Sequence, residues 1–520
     1  MLPELNSYLP LASTQHGYRS GRSTTTALLP LVHLVTRGFN HILPPLRTVT
    51  VSTDLSKAFD TVNHTKLISL LIDTPLADNT VRWLSAYLKG RMASCRYNYT
   101  TSPQRHTRAG VPQGSCISPV LFNFFVSTYP HSTHLTTSYA DDFTDSASST
   151  DYTSAAAALS EHANRVSLWA ADLGLTLSAP KSTVTLFTPD TRQFHHHPHV
   201  TINNTPLPLA QYPRILGVTL DPRFNFGHHI KNIISRASPR INILRALAGT
   251  NWGQQKETIV LTYKSLVRSL FLHATPIWFP NTSPSNIQKL QTIQNSSLRI
   301  ATGCVKMAPI SHLHEETMVL PVHNHLSLLS TQFLARALQP THPSNYIVTS
   351  APEQRHMKHT LQSLFLHHVQ PYMVDGEVPP DTYKDTIHSL HSDAVSQSLA
   401  SMPINSVLGA RAPPVAAEES SLPRPYRSLL SQLRSGYCSS LNSYLARVGR
   451  ALSDHCPSCG VGPHTTRHIF SCPSHPTSLT VWDLWDRPGL ASRFLCLLPF
   501  FDLPVLPLPP PEPPPSLSDS

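Results

Sequence analysis

The tetrad Tyr139-Ala140-Asp141-Asp142 sets two carboxylates side by side between short runs suited to strands, Thr136–Ser138 and Phe143-Thr144. The Ala-Asp pair is then the tight turn of a hairpin. Adjacent carboxylates at a hairpin tip repel each other, and a divalent cation that takes oxygen ligands removes that cost. An ordinary polar turn would explain the tetrad alone. A second acidic segment shifts the balance. In Asp54-Leu55-Ser56-Lys57-Ala58-Phe59-Asp60, Asp54 closes a β-branched strand. A carboxylate at a strand end, beside a hairpin carrying two more, gives three ligands converging on one point. Two-metal phosphoryl transfer needs that convergence, because one ion activates the attacking oxygen and the other steadies the leaving group. Between the acidic segments lies Gly110-Val111-Pro112-Gln113-Gly114-Ser115-Cys116-Ile117-Ser118-Pro119. Its glycines allow close backbone approach to a ligand, and Ser118 and Pro119 suit the N-cap and first turn of a helix through Phe122–Val126.

A different chemistry is offered near the C terminus. Cys456, Cys459, His468 and Cys472 follow the spacing Cys-x2-Cys-x8-His-x3-Cys, with Gly460, Gly462 and Pro463 in the connecting turn. Zinc favours such a tetrahedral Cys3His set, and it would stabilise a segment too short to fold by burial alone. His464 is an alternative ligand to His468, and unliganded thiols in a loop are the plainer reading. His195-His196-His197 with His199 surround Pro198 without a supporting carboxylate or cysteine, so a solvated loop is expected there. Trp83, Tyr87, Arg91 and Arg96 mix aromatic and basic groups as a nucleic-acid track does, and a core helix with a basic rim fits equally well.

These groups must be carried by ordinary elements. Val49 and Val51 alternate with Thr and Ser, the period of a strand leading into Asp54. Residues 64–72 place Leu67, Ile68 and Leu71 on one helical face. Residues 154–173 give the clearest helix, with Leu159, Ala163, Val166, Ala170 and Leu173 on one side and Gly174 as its C′ residue. Short β-like runs follow at Thr183–Phe187 and Ile215–Leu220. Residues 228–335 read as mostly helical. There Ile259, Leu266 and Leu270 share one face, Ile287, Leu290 and Ile293 another, and Pro239 is expected to break or kink its helix. Residues 340–425 are rich in Pro, Ser and His and read as loose connections, 426–450 as helical, and the proline-rich end from Pro504 as extended or disordered.

Composition bounds the function. With 40 Lys+Arg against 30 Asp+Glu, the 520 residues carry a net charge of +10, and only 13% of them are charged. A basic excess on so few charges points to a polyanion, most simply nucleic acid. Eight cysteines in a chain this long exclude a disulfide scaffold and suggest a reducing compartment. Proline, at 48 residues, is well above average usage, so linkers are expected. No basic signal sequence opens the chain and no apolar run of about 18 residues occurs, so neither secretion nor a membrane span is expected.

In this order the motifs resemble those of the reverse transcriptase of a non-LTR (LINE-type) retrotransposon, of the jockey-like kind. His16-Gly17-Tyr18-Arg19-Ser20-Gly21-Arg22-Ser23-Thr24-Thr25 resembles the family's second conserved block. Asp54–Asp60 resembles motif A, Gly110–Pro119 motif B, Tyr139–Asp142 motif C, Leu173–Phe187 motif D and Ile215–Asp221 motif E. Tyr263–Trp278 looks like part of the thumb. Leu433–Gly436 and Leu441–Leu445 resemble sequence that accompanies the family's own Cys/His cluster.

The resemblance implies a right-hand polymerase with a mixed α/β (α+β) palm on an antiparallel sheet, a helical thumb and a small zinc-binding module. It implies partial fingers at 1–47, a palm at 48–226, a thumb at 227–340, a partly disordered connection at 341–450, a zinc-knuckle-like module at 451–480, and a disordered tail at 481–520. It also implies roles. Asp54, Asp141 and Asp142 would hold two Mg²⁺ ions with help from the Leu55 carbonyl. Phe59 would exclude a 2′-hydroxyl, Gln113 and Gly114 would line the nucleotide pocket, and Tyr139 would pack by the primer end. Lys181 would protonate the leaving pyrophosphate, while Arg19 and Arg22 would assist at the triphosphate. Cys456, Cys459, His468 and Cys472 would hold one Zn²⁺. The partners implied are an RNA template, a DNA primer or target, and deoxynucleotides, in the nucleus or cytoplasm. The family's first fingers block and its endonuclease lie upstream of where this chain starts, so truncation is expected. An inactive, nucleic-acid-binding relic is the competing reading.

Overall fold

The computed structural model describes residues 2–42, 44–130, 134–350 and 357–504. They form two compact units, each discontinuous in sequence. The first comprises Met1–Lys231, His273–Asn286 and Leu326–His391, and the second Asn232–Leu272, Ile287–His325 and the chain from Ser392. The unit boundaries differ from the expected divisions at 226/227 and 340/341: one falls inside helix Gly227–Leu247, and His273–Asn286 and Leu326–His391 return to the first unit.

The first unit is organised by a four-stranded antiparallel sheet, ordered Leu135–Tyr139, Asp142–Ser149, Arg47–Thr53 and Thr183–Phe187. Arg47–Thr53 is an inner strand, hydrogen-bonded along both edges, and most of its residues are buried. Val49 and Val51 join Ala147, Leu159, Ala163, Val184 and Leu186 in one core against the helix Tyr152–Leu173. On the opposite face Thr48 and Thr50 hydrogen-bond across the strand pair to Ser148 (2.8 Å) and Ser146 (2.9 Å), which satisfies hydroxyls buried in the sheet. The helix Tyr152–Leu173 is capped by the Asp151 carboxylate, which accepts from Thr153 N, and it ends at Gly174 with φ 72°, as the sequence pattern predicts. A second core gathers Leu67, Leu71, Leu84, Leu88, Leu121, Phe122 and Phe125 beneath the segments that carry Phe59 and Gln113.

The second unit is helical among its described residues, with a core of Tyr426, Leu430, Leu433, Leu441, Leu484, Trp485 and Leu495. Beside it lies a buried ionic cluster. The fully buried Arg434 donates to Glu316 (2.9 Å) and to Glu419, while Lys256 Nζ reaches Glu316 at 2.9 Å and Glu419 at 3.2 Å. Burial pushes the Glu316 carboxyl up, but Lys256 and Arg434 outweigh it and hold the group well below its ordinary range.

Four expectations need correction. Residues 340–425 are not loose connections where described, since helices occupy Leu361–Val369 and Tyr383–Ala400, and the helix Arg424–Arg434 already begins at their end. Proline misleads here because Pro425 sits in the first helical turn, where its missing N–H costs nothing. The tail likewise begins later than 481, because Asp483–Asp486 and Pro488–Cys496 are helical and bury Leu484, Trp485 and Leu495. Residues 505–520 lie outside the described residues. Helix Gly227–Leu247 runs through Pro239 unbroken. Finally, Ile259, Tyr263, Val267 and Phe271 form the buried face, in place of Leu266 and Leu270. The wide π turn at Lys264–Arg268 adds a residue per turn and converts the spacing to steps of four.

Candidate active site and Cys/His centre

The strand register brings the carboxylates together. Thr53 pairs with Phe143, so Asp54, one residue further, faces Asp142, and Asp142 pairs with Tyr139 across the two-residue turn Ala140-Asp141. Directly opposed residues of an antiparallel pair point to the same side. The backbone of Asp54 is fixed from both directions. Its N–H donates to Ser182 Oγ (3.1 Å) and its carbonyl accepts from Ser178 N (3.0 Å). Leu55 bridges Leu177 and is buried.

The turn is strained and clamped. Ala140 has φ 56°, a region that costs a residue with a Cβ roughly 1–2 kcal/mol. The buried Gln15 side chain closes on it as a two-way amide clasp. Gln15 Nε2 donates to Ala140 O (3.0 Å), and Gln15 Oε1 accepts from Ala140 N (2.8 Å) and Gly17 N (2.9 Å). Backbone bonds from His16 N to Ser138 O (2.8 Å) and from Ser138 N to Thr14 O (3.0 Å) continue the seam. A Cβ on Gly17 would stand 2.5 Å from Ala140 N, so glycine is required there. Sequence reasoning missed Gln15, because its partners are 125 residues away; its only sequence signal is its place beside the His16 block.

Burial raises Asp141, with Asp54 adding to it, and burial then Asp141 and Asp54 raise Asp142. Among the described residues none of the three forms an ion pair. Mutually repelling carboxylates without a cationic side chain are a donor set suited to hard divalent cations.

The neighbouring residues fall into place around this group. Phe59 stacks on Phe122 with ring centroids 4.0 Å apart, and Tyr18 meets it edge-on at 6.2 Å. Gly110 donates to Val62 O (2.8 Å), and Val111 N to Phe59 O (2.9 Å), which joins the two loops. A Cβ on Gly110 would lie 2.7 Å from Asp60 O. Gln113 Nε2 donates to Asp60 Oδ1 (3.1 Å), and Gly114 is exposed with φ 95°. Tyr139 ends its strand beside the turn, and Lys181 is exposed in the turn before Ser182. Ser118 is the first helical residue instead of the cap, with Ile117 before it.

Arg19 and Arg22 both donate to backbone carbonyls of the loop that precedes them. Arg19 Nη1 donates to Ala12 O (2.6 Å), and Arg22 Nη1 to Gln15 O (3.0 Å) and to Ser13 O. These guanidinium groups hold the loop that carries Gln15.

Cys456, Cys459, His468 and Cys472 have their ligand atoms all within 4.8 Å of one another, the one such set of ligands among the described residues. Cys456 Sγ and Cys472 Sγ are 3.9 Å apart, and Cys459 Sγ lies 3.2 Å from His468 Nε2. His464 is not one of the set. It is buried, its Nδ1 accepts from Asn442 N (3.2 Å), and burial then His468 lower its pKa to about 4. The histidines at 195–199 form no such set. His197 Nε2 contacts Leu207 O at 2.9 Å, and the rest are exposed.

Residues 1–220 match the family model described as reverse transcriptase (RNA-dependent DNA polymerase). The segment is similar to reverse transcriptases of the jockey-like, non-LTR kind. The chain is 29% identical over 366 residues to a probable RNA-directed DNA polymerase from transposon BS of Drosophila melanogaster, covering 64% of this chain and 38% of that one. It is 26% identical over 325 residues to the corresponding protein of transposon X-element from the same species, covering 61% and 35%. Against the RNA-directed DNA polymerase from mobile element jockey of Drosophila funebris, identity is 26% over 259 residues, covering 48% and 28%. The chain thus spans about a third of the length of the curated relatives it matches. Within residues 1–220 the described chain combines helices with the four-stranded antiparallel sheet. Among the described residues no helix is long and apolar enough to cross a membrane.

Proposed function

We propose that the chain copies RNA into DNA by adding deoxynucleotides to a primer 3′-hydroxyl. The observation that carries this reading is the meeting of Asp54, Asp141 and Asp142 at one end of the sheet, with no ion pair to any of them among the described residues. Asp54, Asp141 and Asp142 would hold two divalent cations, with the Leu55 carbonyl available as a further oxygen. Such cations, when bound, activate the attacking hydroxyl and steady the leaving pyrophosphate. Phe59, immobilised on Phe122, fills the space beneath the incoming sugar and rejects a 2′-hydroxyl by size. Gln113 and Gly114 present amide and backbone groups to the nucleotide, and Tyr139 packs by the primer end. Lys181 supplies a proton to the departing pyrophosphate. The Gln15 clasp keeps Asp141 and Asp142 at their angle. Arg19 and Arg22 act through that loop.

The helices between 227 and 340 serve as the thumb in this reading. Cys456, Cys459, His468 and Cys472 hold a structural Zn²⁺, a closed four-ligand set of the kind zinc stabilises. The partners are an RNA template, a DNA primer or target, and deoxynucleotides, inside the cell. The test is extension of a DNA primer on an RNA template by the full chain, with deoxynucleotides or ribonucleotides offered separately. Extension with deoxynucleotides only supports the reading, and extension with ribonucleotides at equal rate contradicts it.

A further inference from the structure

From Asn79 to Ala140 the chain contains no Asp or Glu, yet it carries six Lys and Arg: Arg82, Lys89, Arg91, Arg96, Arg105 and Arg108. Its middle is a two-stranded ribbon. Met92-Ala93 pair with Arg105-His106, Arg96-Tyr97 pair with Thr100-Thr101, and Asn98 with φ 51° makes the tip. Every residue from 92 to 109 is exposed. Tyr97 and Tyr99 are 80% and 100% exposed, far beyond what packing explains. At the base of the ribbon Trp83, 44% exposed, stacks flat on Tyr87 at 5.4 Å, and Arg91 lies over the Tyr87 ring at 5.0 Å. The base touches the proposed nucleotide loop, since Tyr87 Oη donates to Ser115 Oγ (2.8 Å).

A ribbon without a core is marginal by itself, and open rings on it stabilise nothing in the fold. Rings and cations without acids are what single-stranded nucleic acid binds, because only unpaired bases expose faces for stacking while the backbone meets positive charge. A second copy of this basic chain would meet like charge.

We propose that the ribbon, through Trp83, Arg96, Tyr97, Tyr99 and Arg105, grips unpaired template RNA beside the nucleotide loop. This rests on the polymerase reading, which makes the unpaired strand RNA. The test is equilibrium binding of the full chain to an unstructured single-stranded RNA, to an RNA duplex of equal length, and to single-stranded DNA of the same sequence. Tyr97→Ala/Tyr99→Ala should weaken single-stranded RNA binding by about tenfold or more. Duplex binding and the melting curve should stay unchanged. Arg96→Gln/Arg105→Gln should reduce the salt slope for single-stranded RNA by about 1.4, at ~0.7 per phosphate contact. Unchanged RNA affinity in the tyrosine variant would overturn the proposal. So would equal losses on single and double strands, a loss confined to DNA, or a lowered melting temperature, which would give the rings a packing role. These arms contain no primer or nucleotide. Failure of wild-type primer extension would therefore count against the polymerase reading alone, and unchanged RNA binding against the ribbon alone.

Discussion

The aspartate group and the Cys/His centre are held in opposite ways. Asp54, Asp141 and Asp142 sit at the open end of a sheet whose cores lie elsewhere, the last two at a turn kept in an unfavourable conformation by Gln15. Cys456 and Cys472 are buried, and the segment around them contributes Ile469 to the same core as Leu430, Leu433 and Trp485. The first arrangement stores repulsion and strain that a ligand can relieve. The second closes on itself within a packed core. Changes at the first are therefore expected to alter chemistry with little loss of stability, and changes at the second to do the reverse.

The largest expected stability effect tests the packed region. Arg434→Leu leaves Glu316 and Glu419 buried with one shared cation removed and should cost about 3–5 kcal/mol, read from denaturant unfolding. Because Glu316 is held below its ordinary range, its contribution is complete above about pH 4.3, the unfolded-state value, and fades as pH falls through the lower folded-state value. Glu316→Gln should start from a lower stability and lose less of it on acidification. A parallel acid limb in this variant would place the acid sensitivity elsewhere. Next comes Cys472→Ser. Structural zinc contributes roughly 10–16 kcal/mol through four ligands, so losing one should cost about 3 kcal/mol in the zinc-loaded chain. A chelator should destabilise the wild type by about 3 kcal/mol more than the variant. His464→Ala should leave zinc content unchanged.

Smaller effects sharpen the contrast at the sheet. Gln15→Ala removes the clasp on Ala140 and should cost roughly 1–3 kcal/mol at the strained turn. It should lower kcat for nucleotide addition more than it raises KM, and Ala140→Gly should recover part of the stability. Phe59→Val opens space beneath the sugar and should improve ribonucleotide use relative to deoxynucleotide by about tenfold, equivalent to ~1.4 kcal/mol. Unaltered sugar preference would remove Phe59 from that role.

The contrast also explains what could be read from sequence. The strand before Asp54, the hairpin at Ala140-Asp141 and the long helix ending at Gly174 follow from local periodicity and turn chemistry, and the structure has all three. The closeness of the Cys/His set was legible because its spacing packs four soft donors into one short segment. Gln15 was not, since one glutamine among many gains meaning only when the chain returns to it. Arg434, Glu316, Lys256 and Glu419 were hidden because charged residues normally mark the surface. Pro425 and Pro488 suggested irregular chain, yet both open helices.

The central claim, that the three aspartates form a divalent-cation site for nucleotide addition, is tested most directly by single-nucleotide incorporation on an RNA-templated DNA primer across a Mg²⁺ titration, with wild type compared with Asp141→Asn. The account predicts Mg²⁺-dependent incorporation by the wild type and a loss of about 1,000-fold in the variant, about 4 kcal/mol of transition-state stabilisation. It also predicts an unchanged or slightly higher melting temperature for Asp141→Asn without metal, because one repelling charge is gone. Incorporation by Asp141→Asn at the wild-type rate and with the same Mg²⁺ dependence would contradict it.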